Sequence, residues 1–211
     1  WSDAPRLCKV IQSPKTNARM SYEVQSFEED VLAAKTYQQL VNRFPQLRLV
    51  LVPRHPERFA LAQKMATDAG FKTETFSNGP ACSPDAQCFV IDAMGELPTY
   101  YACSDVAFIG GSFGDIGGHN SLEAAALSRP VVLGPNTGNF RDINRALVEG
   151  GAAVVVRDQQ QLVAQVLELL DQPEKREAMG RAGFEMVENG KGALKRTLVE
   201  IQKLLEQRGP D

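Results

Sequence analysis

The sequence contains few residues that could hold a metal ion. Its four cysteines include no C-x-x-C pair, and only two histidines are available to join them as ligands. We therefore predict no metal site and no cofactor, and we expect the cysteines to be reduced thiols, buried or half-buried in the fold. The cysteines are Cys8, Cys82, Cys88 and Cys103.

A basic excess and a long apolar run are also missing. The 23 Lys and Arg residues are balanced by 26 Asp and Glu residues, giving a net charge of -3. A nucleic-acid-binding protein would show a concentrated basic face, so we expect no nucleic-acid partner. No apolar run approaches the ~20 residues of a membrane-spanning helix, and no signal peptide is visible, so we expect this chain to be soluble. Because it begins at Trp1 without an initiator Met, we expect a piece of a longer protein.

The residues that are present favour an ordinary globular domain. Hydrophobic residues make up 43% of the 211 residues and charged residues 23%, which is enough apolar material for a core. From residue 47 onward, apolar runs alternate with segments of helical periodicity. This alternation predicts a parallel sheet with helices on both faces, a doubly wound α/β fold. No linker follows residue 25, so we predict a single domain over residues 1–211, with 1–25 as a poorly defined lead-in.

Gly, Pro and polar residues between the periodic segments set the predicted bounds of the strands and helices. Strands are predicted at residues 47–52, 71–76, 88–92, 106–109, 131–133 and 152–156, with a further short strand at 7–11. Helices are predicted at residues 26–42, 56–69, 97–103, 119–127, 140–149, 159–171, 173–188 and 193–206.

A glycine-rich loop between the predicted strand at 106–109 and the next helix is the most distinctive stretch. Such a loop at a helix start can hold a phosphate through its backbone N–H groups. Glycines also serve simply to allow positive φ in a tight connection, and the residues alone leave both interpretations open. Residues 110–114 fit G-x-S-x-G as well, but the later glycines prevent the helix that follows a hydrolase nucleophile. The loop glycines are Gly110, Gly111, Gly114, Gly117 and Gly118.

Polar residues follow four of the predicted strands. The carboxyl ends of parallel strands share one edge of a sheet, here termed the carboxyl edge, so we expect these clusters to converge on one ligand. Arg54 is a candidate phosphate ligand, or alternatively a surface partner of Glu57. Glu96 and Glu123 could accept from ribose hydroxyls or merely stabilise helix starts. The clusters are 54–55, 95–96, 110–123 and 136–139.

Two polar residues lie where the glycine loop becomes helix. Asn120 is either a ligand group or an N-cap. His119 is either a proton donor or an ordinary polar loop residue.

Three motifs in this chain resemble the carboxy-terminal half of the Kdo transferases. They read P-R-H-P-E-R-F at 53–59, D-A-M-G-E-L at 92–97, and F-I-G-G-S-F followed by G-G-H-N-S-L-E within 108–123. That family transfers 3-deoxy-D-manno-oct-2-ulosonic acid (Kdo) from CMP-Kdo to a lipid A precursor in lipopolysaccharide biosynthesis. The order and spacing of the motifs match from about residue 47 to the end.

The resemblance implies the Rossmann-like carboxy-terminal half of a GT-B glycosyltransferase, which holds the CMP of the donor. The reaction would be an inverting, metal-independent displacement. The family's other domain carries the acceptor site, the catalytic carboxylate and the membrane anchor, so we expect no catalytic residue here and no activity from this chain alone. The resemblance implies CMP contacts from Pro53, Arg54, Met94, Gly95, Glu96, Asn120, Ser121, Leu122 and Glu123.

The same resemblance implies where the whole protein acts and what it meets. Its partners would be CMP-Kdo or CMP and, through the missing domain, a lipid A precursor. The full-length protein would lie at the cytoplasmic face of the bacterial inner membrane, attached only through the missing domain. Two alternatives stay open: the donor domain of a UDP-sugar GT-B transferase or epimerase, and a non-catalytic nucleotide-binding module.

The chain departs from the family pattern at three places. Ser121 stands where the family usually has Pro, and residues 134–140 replace a G-P-H-x-F-N-F stretch. Residues 21–29 replace an S-T-H-x-G-E stretch ahead of the first long helix. Substrate contacts that the family makes through its S-T-H-x-G-E stretch are therefore not carried over to residues 21–29.

Overall fold

Strands and helices alternate along the chain in the computed structural model, which describes residues 19–24 and 27–207. The strands are β1 (Arg19–Val24), β2 (Arg48–Pro53), β3 (Thr73–Thr75), β4 (Cys88–Val90), β5 (Val106–Ile109), β6 (Val131–Leu133) and β7 (Ala153–Val155). The α-helices are α1 (Phe27–Val41), α2 (Phe59–Asp68), α3 (Leu97–Ala102), α4 (Leu122–Ala125), α5 (Arg141–Glu149), α6 (Gln159–Asp171) and α7 (Pro173–Gln207). Short 3-10 turns occur at Pro56–Arg58, Phe76–Asn78 and Gly138–Phe140.

The seven strands form one sheet in the order β3-β4-β2-β1-β5-β6-β7. Every strand pair in it is parallel. Parallel strands need helical crossovers, which cover the two faces of the sheet. The predicted doubly wound α/β fold is confirmed.

Strand β1 lies at the centre of the sheet, between β2 and β5, and the sequence analysis did not predict it. Its segment R-M-S-Y-E-V has no apolar run. Arg19 and Ser21 are nevertheless buried; the Arg19 N–H donates to Asp105 Oδ2 at 2.7 Å, and its guanidinium donates to the carbonyl of Cys103 at 2.9 Å. These distant partners make a polar strand tolerable in the core. The strand predicted at 7–11 lies outside the described residues.

Alternate residues of the strands enter two different cores. Leu49 and Leu51 of β2 face the core that also contains α1, α2 and α6. Val50 and Val52 of the same strand face a second core, where they meet Tyr100 of α3. This period-two alternation with both sides apolar is typical of a sheet buried on both faces.

The last helix is longer than predicted. Residues 173–188 and 193–206 were predicted as two helices, with Gly190 and Gly192 between them. The structure has a single helix, α7, over Pro173–Gln207. Glycine lowers helix propensity by about 1 kcal/mol without forbidding the conformation, so the continuous helix is allowed.

Two other glycines of α7 have a packing role. A Cβ on Gly180 would lie 2.1 Å from the carbonyl oxygen of Ser128, and one on Gly183 would lie 3.2 Å from the Cβ of Ala125. These glycines let α7 approach the α4–β6 connection closely.

The prediction for the cysteines is wrong at one position. Cys82 and Cys88 are free, but Cys103 is disulfide-bonded. Burial raises the pKa of the fully buried Cys88 thiol. Sequence spacing gave no sign of the disulfide, because bridged cysteines can be far apart in the chain.

Within residues 19–24 and 27–207, no helix has both the length and the apolar character that crossing a bilayer requires. The same residues contain no group of three His, Cys, Asp or Glu side chains placed to bind a metal ion.

Candidate functional site

A cavity of about 470 Å³ opens at the carboxyl edge of the sheet. Its walls come from the ends of β2 and β4 and from the start of α4, so segments distant in sequence do converge there. The size lies within the usual range of small-molecule sites, about 300–1,000 Å³. The lining residues are Val52, Pro53, Arg54, His55, Ala93, Met94, Gly95, Leu97, Pro98 and Glu123.

The β2 side of the cavity presents a cation. Strand β2 ends at the buried Pro53, and Arg54 then turns out to an exposed position on the cavity wall. The following 3-10 turn is tied down by Arg58, whose guanidinium forms an ion pair with the fully buried Asp30 of α1. The loop that carries Arg54 is therefore anchored at both of its ends.

The β4 side supplies an apolar wall. Met94 is 63% exposed, which is unusual for its residue type and leaves its side chain available to a ligand. Gly95 has φ of 84°, a conformation in which a side chain would be strained. Glu96 is half-buried, does not line the cavity, and its carbonyl accepts from the N–H of Thr99 at 3.0 Å as α3 begins.

Asn120 precedes helix α4 and orients Glu123. Its Oδ1 accepts from the N–H of Leu122 at 3.2 Å, and its Nδ2 donates to Glu123 Oε1 at 3.2 Å. The N-cap position belongs to Ser121, whose side chain makes no capping hydrogen bond, so the N-cap interpretation of Asn120 is wrong. The carboxylate of Glu123 reaches the cavity wall, so Asn120 also positions a candidate ligand group.

Two predicted contact residues turn away from the cavity. Ser121 is fully buried, and its hydroxyl donates to Asn144 Oδ1 of α5 at 2.5 Å. Leu122 is half-buried and packs against the core beneath α4, α5 and α7. Five of the predicted contact residues line the cavity, namely Pro53, Arg54, Met94, Gly95 and Glu123, whereas Glu96, Asn120, Ser121 and Leu122 adjoin it without lining it.

The glycine loop is not an open phosphate cradle. The buried carboxylate of Glu29 accepts from the N–H of Gly111 at 2.9 Å and from that of Phe113 at 3.4 Å. The N–H of Gly118 donates to the Gly111 carbonyl at 2.8 Å, and the N–H of His119 donates to that of Gly110 at 3.1 Å. Because these donors are already used, the interpretation as a tight connection fits the loop better. Positive φ at Gly111, Gly117 and Gly118 agrees with it.

Ser112 has no free hydroxyl for nucleophilic chemistry. It is fully buried, donates to the Ile109 carbonyl at 2.5 Å, and accepts from the N–H of Gly134 at 2.8 Å. A Cβ on Gly134 would lie 2.4 Å from the Ser112 carbonyl oxygen, so the loops after β5 and β6 are in direct contact. The rejection of a serine hydrolase agrees with this geometry.

His119 is a neutral, buried residue rather than an exposed acid. It is only 6% exposed, and its ring lies against Gly111, where a Cβ would be 3.2 Å from Nε2. Burial, followed by the neighbouring Arg54 and His55, lowers the pKa of His119 to about 4. Arg54 and His55, whose charges add to this shift, both line the cavity, whereas His119 does not.

Two important residues, Glu29 and Asp30, were not assigned to the site from sequence. Both fall within the helix predicted at residues 26–42, and an acidic residue at a helix start normally lies in solvent. In the structure they are 2% and 0% exposed, respectively. The sequence around them does not indicate this burial, because the groups that they bind lie in the loops after β2 and β5.

Comparison with known proteins agrees with this arrangement. Residues 80–186 match the family described as Glycosyl transferases group 1. The chain is 38% identical over 180 residues to the 3-deoxy-D-manno-octulosonic acid transferase of Haemophilus influenzae, covering 85% of this chain and 42% of that protein. It is 37% identical over 163 residues to the Bordetella pertussis enzyme of the same name, covering 76% of this chain and 38% of that protein. The alignments thus span about two fifths of the length of these relatives.

A solved structure is similar over nearly its full length. It is the C-terminal CMP-Kdo binding domain of WaaA from Acinetobacter baumannii, with a TM-score of 0.81 and 28% identity, covering 88% of this chain and 96% of that domain. The predicted family and GT-B fold are confirmed. The chain belongs to the group 1 glycosyltransferases and, within them, is a relative of the carboxy-terminal domain of the 3-deoxy-D-manno-octulosonic acid transferases.

Proposed function

We propose that this chain is the donor-binding domain of a Kdo transferase and that its carboxyl-edge cavity holds the CMP part of CMP-Kdo. The observation that carries the proposal is that Arg54 and Glu123 line the same cavity, in a chain similar to a CMP-Kdo binding domain. A cation for phosphate and a carboxylate for sugar hydroxyls are the two polar groups that a nucleoside monophosphate requires.

Each wall has a role in the proposal. The planar guanidinium of Arg54 donates two hydrogen bonds to the phosphate. Glu123, held by Asn120, accepts from the ribose hydroxyls. Met94 provides an apolar surface for the base, and Gly95 allows the ligand close to the backbone. Ser121 and Leu122 act through the placement of α4, and Glu96 acts at the start of α3.

The proposed reaction is a direct, inverting displacement at the anomeric carbon of Kdo. An acceptor hydroxyl of the lipid A precursor forms the new bond, a base outside this chain takes its proton, and CMP leaves with the electrons of the broken bond. Negative charge develops on the departing phosphate, where Arg54 stabilises it. This chain alone binds nucleotide and transfers nothing, and the full-length protein acts at the cytoplasmic face of the inner membrane.

Calorimetric titration with CMP, UMP and UDP tests the donor assignment. We expect CMP to bind more tightly than either uridine nucleotide, because the solved domain that this chain resembles binds CMP-Kdo. A clear preference for UDP would contradict the proposal and favour a UDP-sugar enzyme. That alternative is not favoured at present, since the curated relatives described above are Kdo transferases.

Reconstitution tests the enzymatic role. The chain is joined to the amino-terminal half of a related transferase and supplied with CMP-Kdo and a lipid A precursor. Transfer of Kdo supports the proposal, whereas tight CMP binding without transfer would favour a non-catalytic nucleotide-binding module.

A further inference from the structure

Helix α1 begins with two adjacent buried carboxylates. Glu29 is 2% exposed and Asp30 is 0% exposed, although both lie in the first turn of the helix. Burying a carboxylate is costly unless it is hydrogen-bonded or paired with a cation. An acidic residue that only complements the helix dipole achieves that effect at the surface, so the burial of this pair requires another explanation.

The two carboxylates bind loops on opposite sides of the central strand. Glu29 accepts from the N–H groups of Gly111 and Phe113 in the loop after β5. Asp30 pairs with Arg58, whose side chain is only 17% exposed, in the turn after β2. Strand β1 lies between β2 and β5, and α1 follows β1 directly, so one helical turn holds both loops.

The same two loops carry the polar groups of the cavity. Arg54 lies four residues before Arg58, and the glycine loop leads into the α4 start that bears Glu123. We infer that Glu29 and Asp30 are positioning residues that fix the separation between Arg54 and Glu123, and so set how strongly the site holds a nucleotide phosphate. This inference rests on the proposed function.

The test compares CMP with cytidine, which lacks the phosphate. The dissociation constant of cytidine divided by that of CMP measures how much the phosphate contributes to binding. This quotient is called the ratio. In Asp30→Asn and Arg58→Met we expect this ratio to fall about tenfold, since a charge-assisted bond that holds the Arg54 loop is lost. Arg58→Met keeps the aliphatic stem, and Arg58→Lys, which keeps the charge, should restore part of the ratio.

Matched controls separate positioning from general destabilisation. Asp68→Asn makes the same chemical change in the exposed Lys64–Asp68 pair of α2, and we expect its ratio to equal that of the wild type. A purely structural role for Asp30 would weaken CMP and cytidine binding equally and leave the ratio unchanged, which would overturn the inference.

The role of Glu29 can be tested separately, by amide hydrogen exchange in the loop that it holds. In Glu29→Gln we expect amide hydrogen exchange at Gly111 and Phe113 to accelerate about tenfold and the ratio to fall, because a neutral amide accepts more weakly than a carboxylate. Glu168→Gln, a partly exposed carboxylate paired with Lys175, is the control. Unchanged exchange or an unchanged ratio overturns the role of Glu29.

The proposed function and the positioning role fail in different ways. A wild-type chain that does not distinguish CMP from cytidine contradicts the proposed function and removes the positioning role with it. A wild-type chain that prefers CMP, with variants that keep the full preference, contradicts the positioning role alone.

Discussion

The loops on the two sides of β1 use their polar groups in opposite ways. After β2 and β4, the chain presents side chains outward: Arg54 is exposed, and Met94 is 63% exposed. After β5, the N–H groups of Gly111 and Phe113 are bonded to Glu29, and those of Gly118 and His119 are bonded within the loop. Under the proposed function, the first side (the ligand side) contacts the nucleotide, and the second side (the support side) holds the start of α4, which bears Glu123.

The comparison shows that a high glycine content does not by itself identify a phosphate site. Whether a glycine-rich loop can bind a phosphate depends on whether its backbone N–H groups are free of other hydrogen bonds. Substitutions on each side can test the two sides separately.

The largest effect is expected for Gly134→Ala on the support side. Its Cβ would lie 2.4 Å from the Ser112 carbonyl oxygen and 2.6 Å from the carbonyl carbon, so two backbones must separate. We expect the free energy of unfolding, measured in urea, to fall by about 3 kcal/mol or more. The control is Gly138→Ala, where the nearest atom would be 3.7 Å away. Equal losses in the two variants would contradict the tight contact between these loops.

Arg54→Ala tests the ligand side. We expect CMP binding, measured by calorimetry, to weaken by about 2 kcal/mol, the typical value of a hydrogen bond to a charged group. Because Arg54 is exposed, the free energy of unfolding should not change. Arg145→Ala removes an exposed arginine of α5 and should leave both quantities as they are. Unchanged CMP affinity in Arg54→Ala would refute the phosphate role.

Ser112→Ala should affect stability and not binding. The substitution removes the acceptor of the Gly134 N–H and a donor to Ile109, and it leaves buried polar groups unsatisfied. We expect a loss of about 1.5 kcal/mol in unfolding free energy, with CMP affinity within twofold of the wild type. The control is Ser21→Ala, a fully buried serine whose hydroxyl makes no hydrogen bond to the described residues. A large loss of CMP affinity without destabilisation would mean that the two sides are not separate.

The smallest effect at neutral pH belongs to His119. Its pKa of about 4 in the folded protein is below its ordinary value of 6.5, so the unfolded chain takes up a proton first as the pH falls. The unfolding free energy should therefore decrease between about pH 6.5 and pH 4 and receive no further change from this group below that range. His119→Gln should remove this part of the pH dependence. An unchanged slope in the variant would show that His119 is not the group responsible.

The sequence predicted those elements whose residues share a local pattern. Strands β5 and β6 have the predicted bounds, because both are uninterrupted apolar runs between turn residues. Helix α6 was also predicted with its observed bounds, and the side chain of Asp158 caps its start as an N-cap residue should. Arg54 and Gly95, which line the cavity, were predicted for a similar reason, since they follow predicted strands, whereas Pro53 and Met94 were named only through the resemblance to the Kdo transferases.

Features that depend on distant partners were not predictable from local patterns. Arg19 and Ser21 make β1 look like a polar loop until Asp105 and Cys103 are placed beside Arg19. The hydroxyl of Ser121 turns to Asn144, a partner on another helix. The burial of Glu29 and Asp30 likewise depends on loops that follow other strands.

The central position of β1 also affects the order in which the sheet can assemble. Met20 pairs with Leu49 on one side and with Val106 on the other, and β2 and β5 are not neighbours in the sheet. During synthesis from the amino terminus, β2 is made long before β5. One edge of β1 therefore stays unpaired while the β2–β4–β3 half forms, and an open strand edge can associate with other chains. The interval between the synthesis of β4 and that of β5 is thus the period in which the nascent domain is most exposed to aggregation.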